Sequence, residues 1–289
     1  MSRRRPDYTV HRRRERAGNG RTLAWLIVII VMVAAVALAL TNRSGGDETA
    51  QVAPVTTAPA QKLLIREGLR REDVAALLDE ETAIPGARYL ALTAPGPRGR
   101  ALAKADRPTS LEGFLFPATY DITDATTAEE LVDLQLAAFA ANTSGIPLGY
   151  ARARNLTRFD VLTIAAMIER EVAVPSERPL VASVIYNRLK AGMMLGIDAT
   201  VQYAIGEWKT ELTVTDLAVD SPYNTRRFTG LPPGPIASPG ADSFRAAARP
   251  EETDFLYYVT RNDGTGRHYF STNADQFERD VQRSRAAQG

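Results

Sequence analysis

Two acidic side chains near the end of an apolar segment are the residues of this chain best suited to chemistry. Residues 161–172 read VLTIAAMIEREV, and on a helix Glu169 falls close to Leu162 whereas Glu171 falls close to Ile164. A helix this apolar is normally buried, and an ionised carboxylate there is costly, so its pKa is usually raised. A carboxylic acid that keeps its proton near neutral pH can act as a general acid. A buried, ion-paired structural glutamate is the alternative that this pattern leaves open.

Two further acids lie in segments that could bring them to a site. Glu112 is the acid inside the aromatic and apolar run SLEGFLFPATYDI, residues 110–122. Such a run is usually core, and an acid inside it is usually neutralised by a partner. Asp198 can begin a short helix that ends at Gly206, and helix capping alone would account for it. Each acid is therefore either a site residue or a structural one.

A stiff loop supplies candidates for binding a ligand. Residues 221–240 read SPYNTRRFTGLPPGPIASPG, and a proline-rich loop holds its side chains in place at low entropic cost. Long ordered loops of this kind are often functional. Tyr223, Asn224 and the two residues after them are suited to gripping a polar, ring-shaped ligand. Asn187, on a helix, could face the same cleft. A structural strap and a solvated amide are the respective alternatives.

Composition and charge exclude several classes of function. The 289 residues carry a net charge of +1, which gives no overall attraction to nucleic acid, and we expect no nucleic-acid partner. The chain has no cysteine, so it has neither disulfides nor thiol chemistry. The two histidines, His11 and His268, lie far apart in the sequence. A zinc site is therefore not expected, and we predict no metal and no organic cofactor.

The N-terminal segment predicts a membrane anchor. Residues 1–22 hold eight arginines, and residues 23–40, LAWLIVIIVMVAAVALAL, carry no charge. This run has the length of a membrane-spanning helix and is too long for the core of a signal peptide. The arginines place the N-terminus in the cytoplasm by the positive-inside rule. A linker rich in Thr, Ala, Pro and Gly follows at residues 41–61, so we expect a single-pass cell-membrane protein with an extracytoplasmic body.

The exported part predicts an α+β fold in two pieces. Residues 62–107 read as a small module in which a short strand and turn, KLLIREGL, precede a helix at residues 71–78. Residues 108–289 read as a larger mixed α/β domain with a central pair of buried helices and a C-terminal β-hairpin. The hairpin is predicted where FLYYVT and HYFST flank the turn sequence RNDGTGR.

Capping residues predict where the helices of the larger domain begin. Ser, Thr and Asp accept hydrogen bonds from the free N–H groups of a first helical turn. Gly192 is the predicted stop of the second central helix, which runs to Lys190. The predicted N-caps are Thr126 or Thr127, Ser176, Asp198, Ser238 and Thr272.

The order of these segments resembles the endolytic murein transglycosylase family (MltG-type, YceG-like). The motifs that carry the resemblance are LEGFLFPATY, LTIAAMIERE, SVIYNRL, DATVQY, the proline-rich loop and the FLYYV…HYFS hairpin, in the family's order behind one N-terminal anchor. They cover about residues 63–277. The resemblance implies that Glu169, the first acid of IERE, is catalytic. It also implies that residues 62–107 form a LysM-like module, with IREGL at the family's Glu-Gly turn.

The same resemblance implies a membrane-anchored enzyme that cuts nascent peptidoglycan strands internally. The bond cut would be the β-1,4 bond between N-acetylmuramic acid and N-acetylglucosamine, and the product would end in 1,6-anhydro-N-acetylmuramic acid. Such a lyase would terminate strand elongation, and peptidoglycan synthases are expected partners. The candidate substrate-binding residues are Tyr223, Asn224, Asn187, Asp198 and Glu112.

Spacing separates this reaction from ordinary glycoside hydrolysis. Most glycosidases use two carboxylates that flank the bond. Residues two apart on a helix do not face each other, so Glu169 and Glu171 cannot be that pair. A lytic transglycosylase needs one acid, which protonates the leaving oxygen and then takes the proton of the sugar's own 6-hydroxyl. Two alternatives remain: a glycoside hydrolase with Glu112 or Asp198 as its second carboxylate, and a non-catalytic wall-binding scaffold.

Overall fold

The structure, a computed structural model, describes residues 60–104 and 109–288. These residues belong to one compact unit, residues 58–289. The predicted basic tail, transmembrane helix and linker, residues 1–22, 23–40 and 41–61, lie outside the described residues except for the linker's last two. Within the described ranges, no helix is both long and apolar enough to cross a bilayer.

The N-terminal module begins with strand β1 (Gln61–Leu64) and continues through helices α1 (Arg71–Glu81), α2 (Gly86–Thr93) and α3 (Pro97–Ala103). Strand β1 pairs antiparallel with β2 (Thr119–Ile122), with Leu63 opposite Tyr120. The module therefore shares its sheet with residues beyond the predicted boundary at residue 107. Its small core crosses that boundary as well, because the side chains of residues 111–132 complete it. The apolar side chains buried there include Leu63, Val74, Leu78, Tyr89, Leu111, Leu115 and Leu131.

The larger core surrounds one helix. Helices α4 (Ala128–Thr143) and α5 (Gly149–Arg152) lead to α6 (Arg158–Glu171), where every side chain from residue 161 to 168 is buried. Helices α7 (Arg178–Ala191), α8 (Asp198–Ile205) and α10 (Ala241–Ala248) all pack against α6, and the short α9 (Val214–Leu217) contacts α8. The predicted central pair, α6 and α7, is thus present as neighbours. The apolar run predicted to be buried is buried because α6 is covered on several sides.

Several predicted helix starts are shifted in the structure. Thr127 caps α4 as expected, with its side chain and that of Glu130 forming a capping box. The other four predictions were wrong by one or two residues: Asp198 is the first residue of its helix, and the three serine and threonine candidates precede the actual caps. The N-caps in the structure are Glu177 rather than Ser176, Ile197 rather than Asp198, Gly240 rather than Ser238, and Asn273 rather than Thr272.

The predicted hairpin is present at the C-terminal end. Strands β3 (Tyr257–Thr260) and β4 (His268–Ser271) pair antiparallel, and α11 (Ala274–Ala286) packs on both. His268 is buried, and its Nδ1 lies 2.7 Å from Glu177 Oε2 just before α7. This contact fixes the hairpin beside the start of α7, close to the end of the central helix.

Candidate active site

Glu169 lies in the last turn of α6 with its side chain only 7% exposed. The backbone N–H of Gly240 donates to Glu169 Oε2 at 3.0 Å. Arg178 Nη2 lies 3.5 Å from the other carboxylate oxygen. Glu169 therefore has two specific partners, and its carboxyl group lies at the edge of the core.

Three helix ends meet at this carboxyl group. Arg178 is the first residue of α7, and its Nε donates to Ser243 Oγ of α10 at 3.0 Å. Gly240 is the N-cap of α10. The N-terminus of a helix carries partial positive charge and free N–H groups, so it favours a nearby anion. The two helix N-termini and the guanidinium together give Glu169 a fixed orientation.

The N-terminal module contributes a second carboxylate to the same place. Glu67 lies against Gly240 so closely that a Cβ atom there would be 1.9 Å from Glu67 Oε1. Partial burial and, after it, the charge of Glu169 raise the pKa of Glu67, while Arg178 acts in the opposite direction. Two carboxylates from separate parts of the chain therefore converge on the N-cap of α10.

A Glu-Gly turn brings Glu67 there. Gly68 has a φ of +80°, which a residue with a side chain rarely adopts. Its N–H donates to the carbonyl of Ser238 at 2.9 Å, and the Ser238 N–H donates to the carbonyl of Leu69 at 2.9 Å. The turn is therefore joined by backbone hydrogen bonds to the end of the proline-rich loop. This pairing uses Ser238 and explains why Ser238 does not cap α10.

Arg170 and Trp208 fasten the module to the end of α6. Arg170 Nη1 donates to the carbonyl of Gly68 at 3.2 Å, and its guanidinium lies 3.8 Å from the centre of the Trp208 ring. Trp208 also stacks under Arg70, at 4.8 Å, and donates its Nε1–H to Asp73 Oδ2 at 3.1 Å. Cation–π contacts of this kind stabilise partly buried pairs by about 1 kcal/mol each. The contacts hold the Glu-Gly turn over the catalytic candidate.

Glu171 occupies a different environment although it is only two residues further on. The Tyr258 hydroxyl donates to Glu171 Oε2 at 2.9 Å. Burial raises the pKa of Glu171, and the hydrogen bond from Tyr258 partly opposes that effect. Glu171 therefore ties α6 to the hairpin.

Glu112 is buried in the module rather than beside Glu169. Its side chain is 2% exposed and lies 3.7 Å from Arg71 Nε, with one carboxylate oxygen left without a hydrogen bond among the described residues. Burial raises the pKa of Glu112 to about 8, and Arg71 lowers it less than burial raises it. The raised pKa expected of a carboxyl in an apolar run is thus found here, where the group has no access to solvent.

Asp198 and Asn187 are bound to other parts of the protein. Asp198 is half exposed and forms an ion pair with Arg226 across the start of α8. Asn187 donates its amide hydrogens to the carbonyls of Thr253 and Phe255, at 2.8 and 2.9 Å. These contacts join α7 to the segment before β3. The structure therefore does not place either residue against Glu169.

The two loop candidates differ in exposure. Asn224 is fully buried, and its side chain donates to the carbonyls of Leu217 and Val219 and accepts from the N–H of Arg226. Both amide hydrogens and the amide oxygen are therefore bonded within residues 217–226. Tyr223 is half-buried, and its ring centre lies 4.8 Å from that of Tyr203. Of the two, Tyr223 retains a surface that a ligand could contact.

The site residues that the sequence did not single out are Glu67, Arg178 and Gly240. A Glu-Gly pair directly after a strand was the available signal for Glu67, because a glycine there favours a turn. Nothing in the local sequence distinguishes Arg178 from the other arginines. As for metals, the described part of the chain contains no group of three His, Cys, Asp or Glu residues placed to hold an ion.

A groove leads away from this cluster. It has a volume of about 820 Å³, which suits a sugar-sized ligand. Arg178, which contacts Glu169, lines the groove together with Asp242, Tyr150, Arg245 and Arg249. The arrangement thus combines an oriented carboxyl, a neighbouring guanidinium and an open path for a long polar ligand.

Two curated proteins are similar to this chain in sequence. A curated protein from Bacillus subtilis, named endolytic murein transglycosylase, is 38% identical over 197 residues, which is 67% of this chain and 53% of that protein. A protein of the same name from Streptococcus pneumoniae strain R6 is 38% identical over 177 residues, 59% of this chain and 32% of that protein. This chain therefore spans about half of the first relative and a third of the second.

The structural comparison agrees with the sequence comparison. A crystal structure of a YceG-like protein from Listeria monocytogenes has a TM-score of 0.66 and 35% sequence identity, covering 78% of this chain and 76% of that one. The profile of the YceG-like family matches residues 41–283. That match includes the module, the central helix, the proline-rich loop and the hairpin, and so the chain belongs to the YceG-like family.

Proposed function

We propose that this protein is a lytic transglycosylase that cuts peptidoglycan strands internally and leaves 1,6-anhydro-N-acetylmuramic acid ends. The observation that carries the proposal is the environment of Glu169, a carboxyl at the edge of a buried helix that is held by the Gly240 N–H and by Arg178, a residue that also lines an open groove. The names of the relatives support the same activity.

In the proposed reaction, Glu169 first donates a proton to the oxygen that links N-acetylmuramic acid to the next N-acetylglucosamine. The bond from C1 to that oxygen breaks, and positive charge develops on the ring. The carboxylate of Glu169 then accepts the proton of the 6-hydroxyl as that oxygen bonds to C1. Arg178 and the Gly240 N–H hold the carboxylate in position and stabilise its charge between the two steps. No water is consumed.

The groove beside Arg178 is the proposed path of the glycan. Its apolar floor suits sugar faces, and Arg245 and Arg249 at its rim suit the carboxylates of stem peptides. Tyr223 remains a candidate for contact with a sugar. Asn224, Asn187 and Glu112 act instead through the internal contacts described above, and Asp198 through its ion pair.

Analysis of the cleavage products tests this function. Full-length protein in detergent should convert purified glycan strands into shorter strands whose ends are lighter, by the mass of one water, than free reducing ends. Mass spectrometry of the muropeptides reads this difference directly. Free reducing ends would show that the enzyme is a hydrolase. No shortening by wild-type protein would show that it is a binding scaffold.

We further propose that residues 23–40 anchor the protein in the cell membrane with the described residues outside the cytoplasm, and that residues 62–107 act as a LysM-like module. The apolar run and the arginines before it support the anchor. Peptidoglycan synthases are the proposed partners. Protease added to intact spheroplasts should digest the body of the chain, whereas a protected C-terminal part would exclude this orientation.

A further inference from the structure

The carboxyl group of Glu67 has no hydrogen bond and no ion pair among residues 60–104 and 109–288, and at this partly exposed position its charged neighbours are Glu169, Arg178 and Asp242. It shares the N-cap of α10 with Glu169, since both carboxylates lie against Gly240. The single N–H of Gly240 is donated to Glu169. Nothing in the mechanism above uses Glu67.

A count of charges shows why this placement matters. The groups that face the two carboxylates are Arg178 of α7, Asp242 of α10 and Arg170 at the end of α6. Arg170 is directed to the carbonyl of Gly68, and Asp242 forms its own ion pair with Arg245. One guanidinium, that of Arg178, is therefore left for two carboxylates. Two like charges so placed favour retention of one proton between them.

The first step of the proposed reaction needs that proton. Arg178 and the Gly240 N–H both favour the ionised form of a carboxyl group that they contact. Both of these contacts are made to Glu169. A second carboxylate beside them acts in the opposite direction, because ionising two adjacent carboxyl groups at once is unfavourable.

We propose that Glu67 is a positioning residue that acts through Glu169: the two carboxylates hold one proton between them, and Glu67 keeps it available for the leaving oxygen. The N-terminal module would then complete the active site as well as contacting glycan. This inference rests on the proposed function. In the full cycle the shared proton passes to the leaving oxygen, and the proton of the 6-hydroxyl returns to the pair, so no further reactant is required.

The pH dependence of cleavage tests the inference on the full-length chain. Replacing Glu67→Gln removes the charge and keeps the shape, so the alkaline limb of the kcat/KM profile should move to lower pH by roughly half a unit to one unit, with KM nearly unchanged. Glu67→Asp should restore most of the profile. Glu80→Gln is the matched control, because Glu80 is an exposed acid of the same module, and it should leave the profile in place.

A second variant moves Glu67 without changing it. Gly240 has an ordinary extended backbone, with a φ of −73°, so Gly240→Ala causes no backbone strain. The new methyl group would displace the flexible end of Glu67 and leave the N–H to Glu169 intact. Gly240→Ala should therefore shift the alkaline limb in the same direction as Glu67→Gln. The inference would be overturned if the alkaline limbs of the kcat/KM profiles of both variants coincided with those of wild type and Glu80→Gln.

A titration that needs no activity separates this inference from the proposed function. Carbon NMR of the Glu67 carboxyl should give a lower midpoint in Glu169→Gln than in wild type, because the neighbouring charge is gone. An unchanged midpoint would overturn the coupling even if the wild type produced anhydro ends. If the wild type produced no anhydro ends while the midpoint moved, the coupling would stand, and the proposed function and the catalytic part of this inference would both fail.

Discussion

Glu169 and Glu112 are both glutamates in apolar sequence, and the structure gives them opposite environments. Glu112 is sealed inside the module beside Arg71, and burial raises its pKa to about 8. Glu169 has its carboxyl at the edge of the larger core, between the guanidinium of Arg178 and the N–H of Gly240. The comparison shows that desolvation alone does not make a general acid. The group must also be reachable by the bond it protonates and must have partners suited to both of its charge states.

The largest expected difference between the two glutamates is in the rate of cleavage. Glu169→Gln should lower kcat about a thousandfold, because positioned general acid–base catalysis contributes roughly 10²–10⁴. Glu112→Gln should lower kcat less than about tenfold at pH 6. At that pH the wild-type carboxyl of Glu112 is protonated and neutral, as the amide of the variant is. Release of anhydro ends measured for both variants provides the test. Equal losses would mean that the two sites are functionally linked.

The next largest effect is on stability as a function of pH. Because the folded-state pKa of Glu112 is raised above its ordinary value of 4.5, to about 8, the folded protein keeps a proton that the unfolded chain loses. The free energy of unfolding should therefore fall between pH 4.5 and 8, by on the order of 5 kcal/mol. Urea unfolding at several pH values should show this decline in wild type and a much flatter curve in Glu112→Gln. Parallel curves would contradict the raised pKa.

The turn that carries Glu67 can be perturbed without substituting Glu67 or Glu169. Gly68→Ala places a side chain at a φ of +80° and should destabilise the protein by about 1–2 kcal/mol. Gly192→Ala is the matched control, because Gly192 also has a positive φ, of +66°, but has open space around it. Both variants should unfold at lower urea concentration, and only Gly68→Ala should also slow cleavage. Equal rates in the two variants would argue that the turn has no role at the site.

The smallest effect is expected at Asp198. Its side chain is 48% exposed and its ion pair with Arg226 is in contact with solvent, so Asp198→Asn should change stability by less than about 0.5 kcal/mol. Cleavage should continue at close to the wild-type rate. A large loss of kcat would restore Asp198 as the second carboxylate of a hydrolase, and the comparison of Glu169 with Glu112 would no longer describe the chemistry.

The parts of the structure that the sequence predicts are those set by local pattern. The apolar run of α6 predicts a buried helix with Glu169 at its edge, and the alternation around RNDGTGR predicts the hairpin. Both depend on neighbours within a few residues of each other. Helix starts are less certain, because a serine that can cap a helix can equally be used elsewhere. Ser238 shows this, since its backbone pairs with Gly68 and Leu69 of the distant module.

The parts that the sequence does not predict depend on which distant segments meet. Glu67, Arg178 and Gly240 come together only because the module, α7 and α10 converge at the end of α6. The loop candidate Asn224 has the right chemistry for a glycan, but the structure uses its amide inside the loop. Side-chain type alone does not separate these two uses.

The most direct test of the central claim is the source of the oxygen at the new strand ends. Full-length protein should be incubated with glycan strands in water enriched in heavy oxygen, and the released ends analysed by mass spectrometry. If Glu169 passes its proton to the leaving oxygen and the 6-hydroxyl closes the ring, the new ends will be anhydro and will contain no heavy oxygen. Incorporation of one heavy oxygen at each new end would show attack by water and would contradict the account.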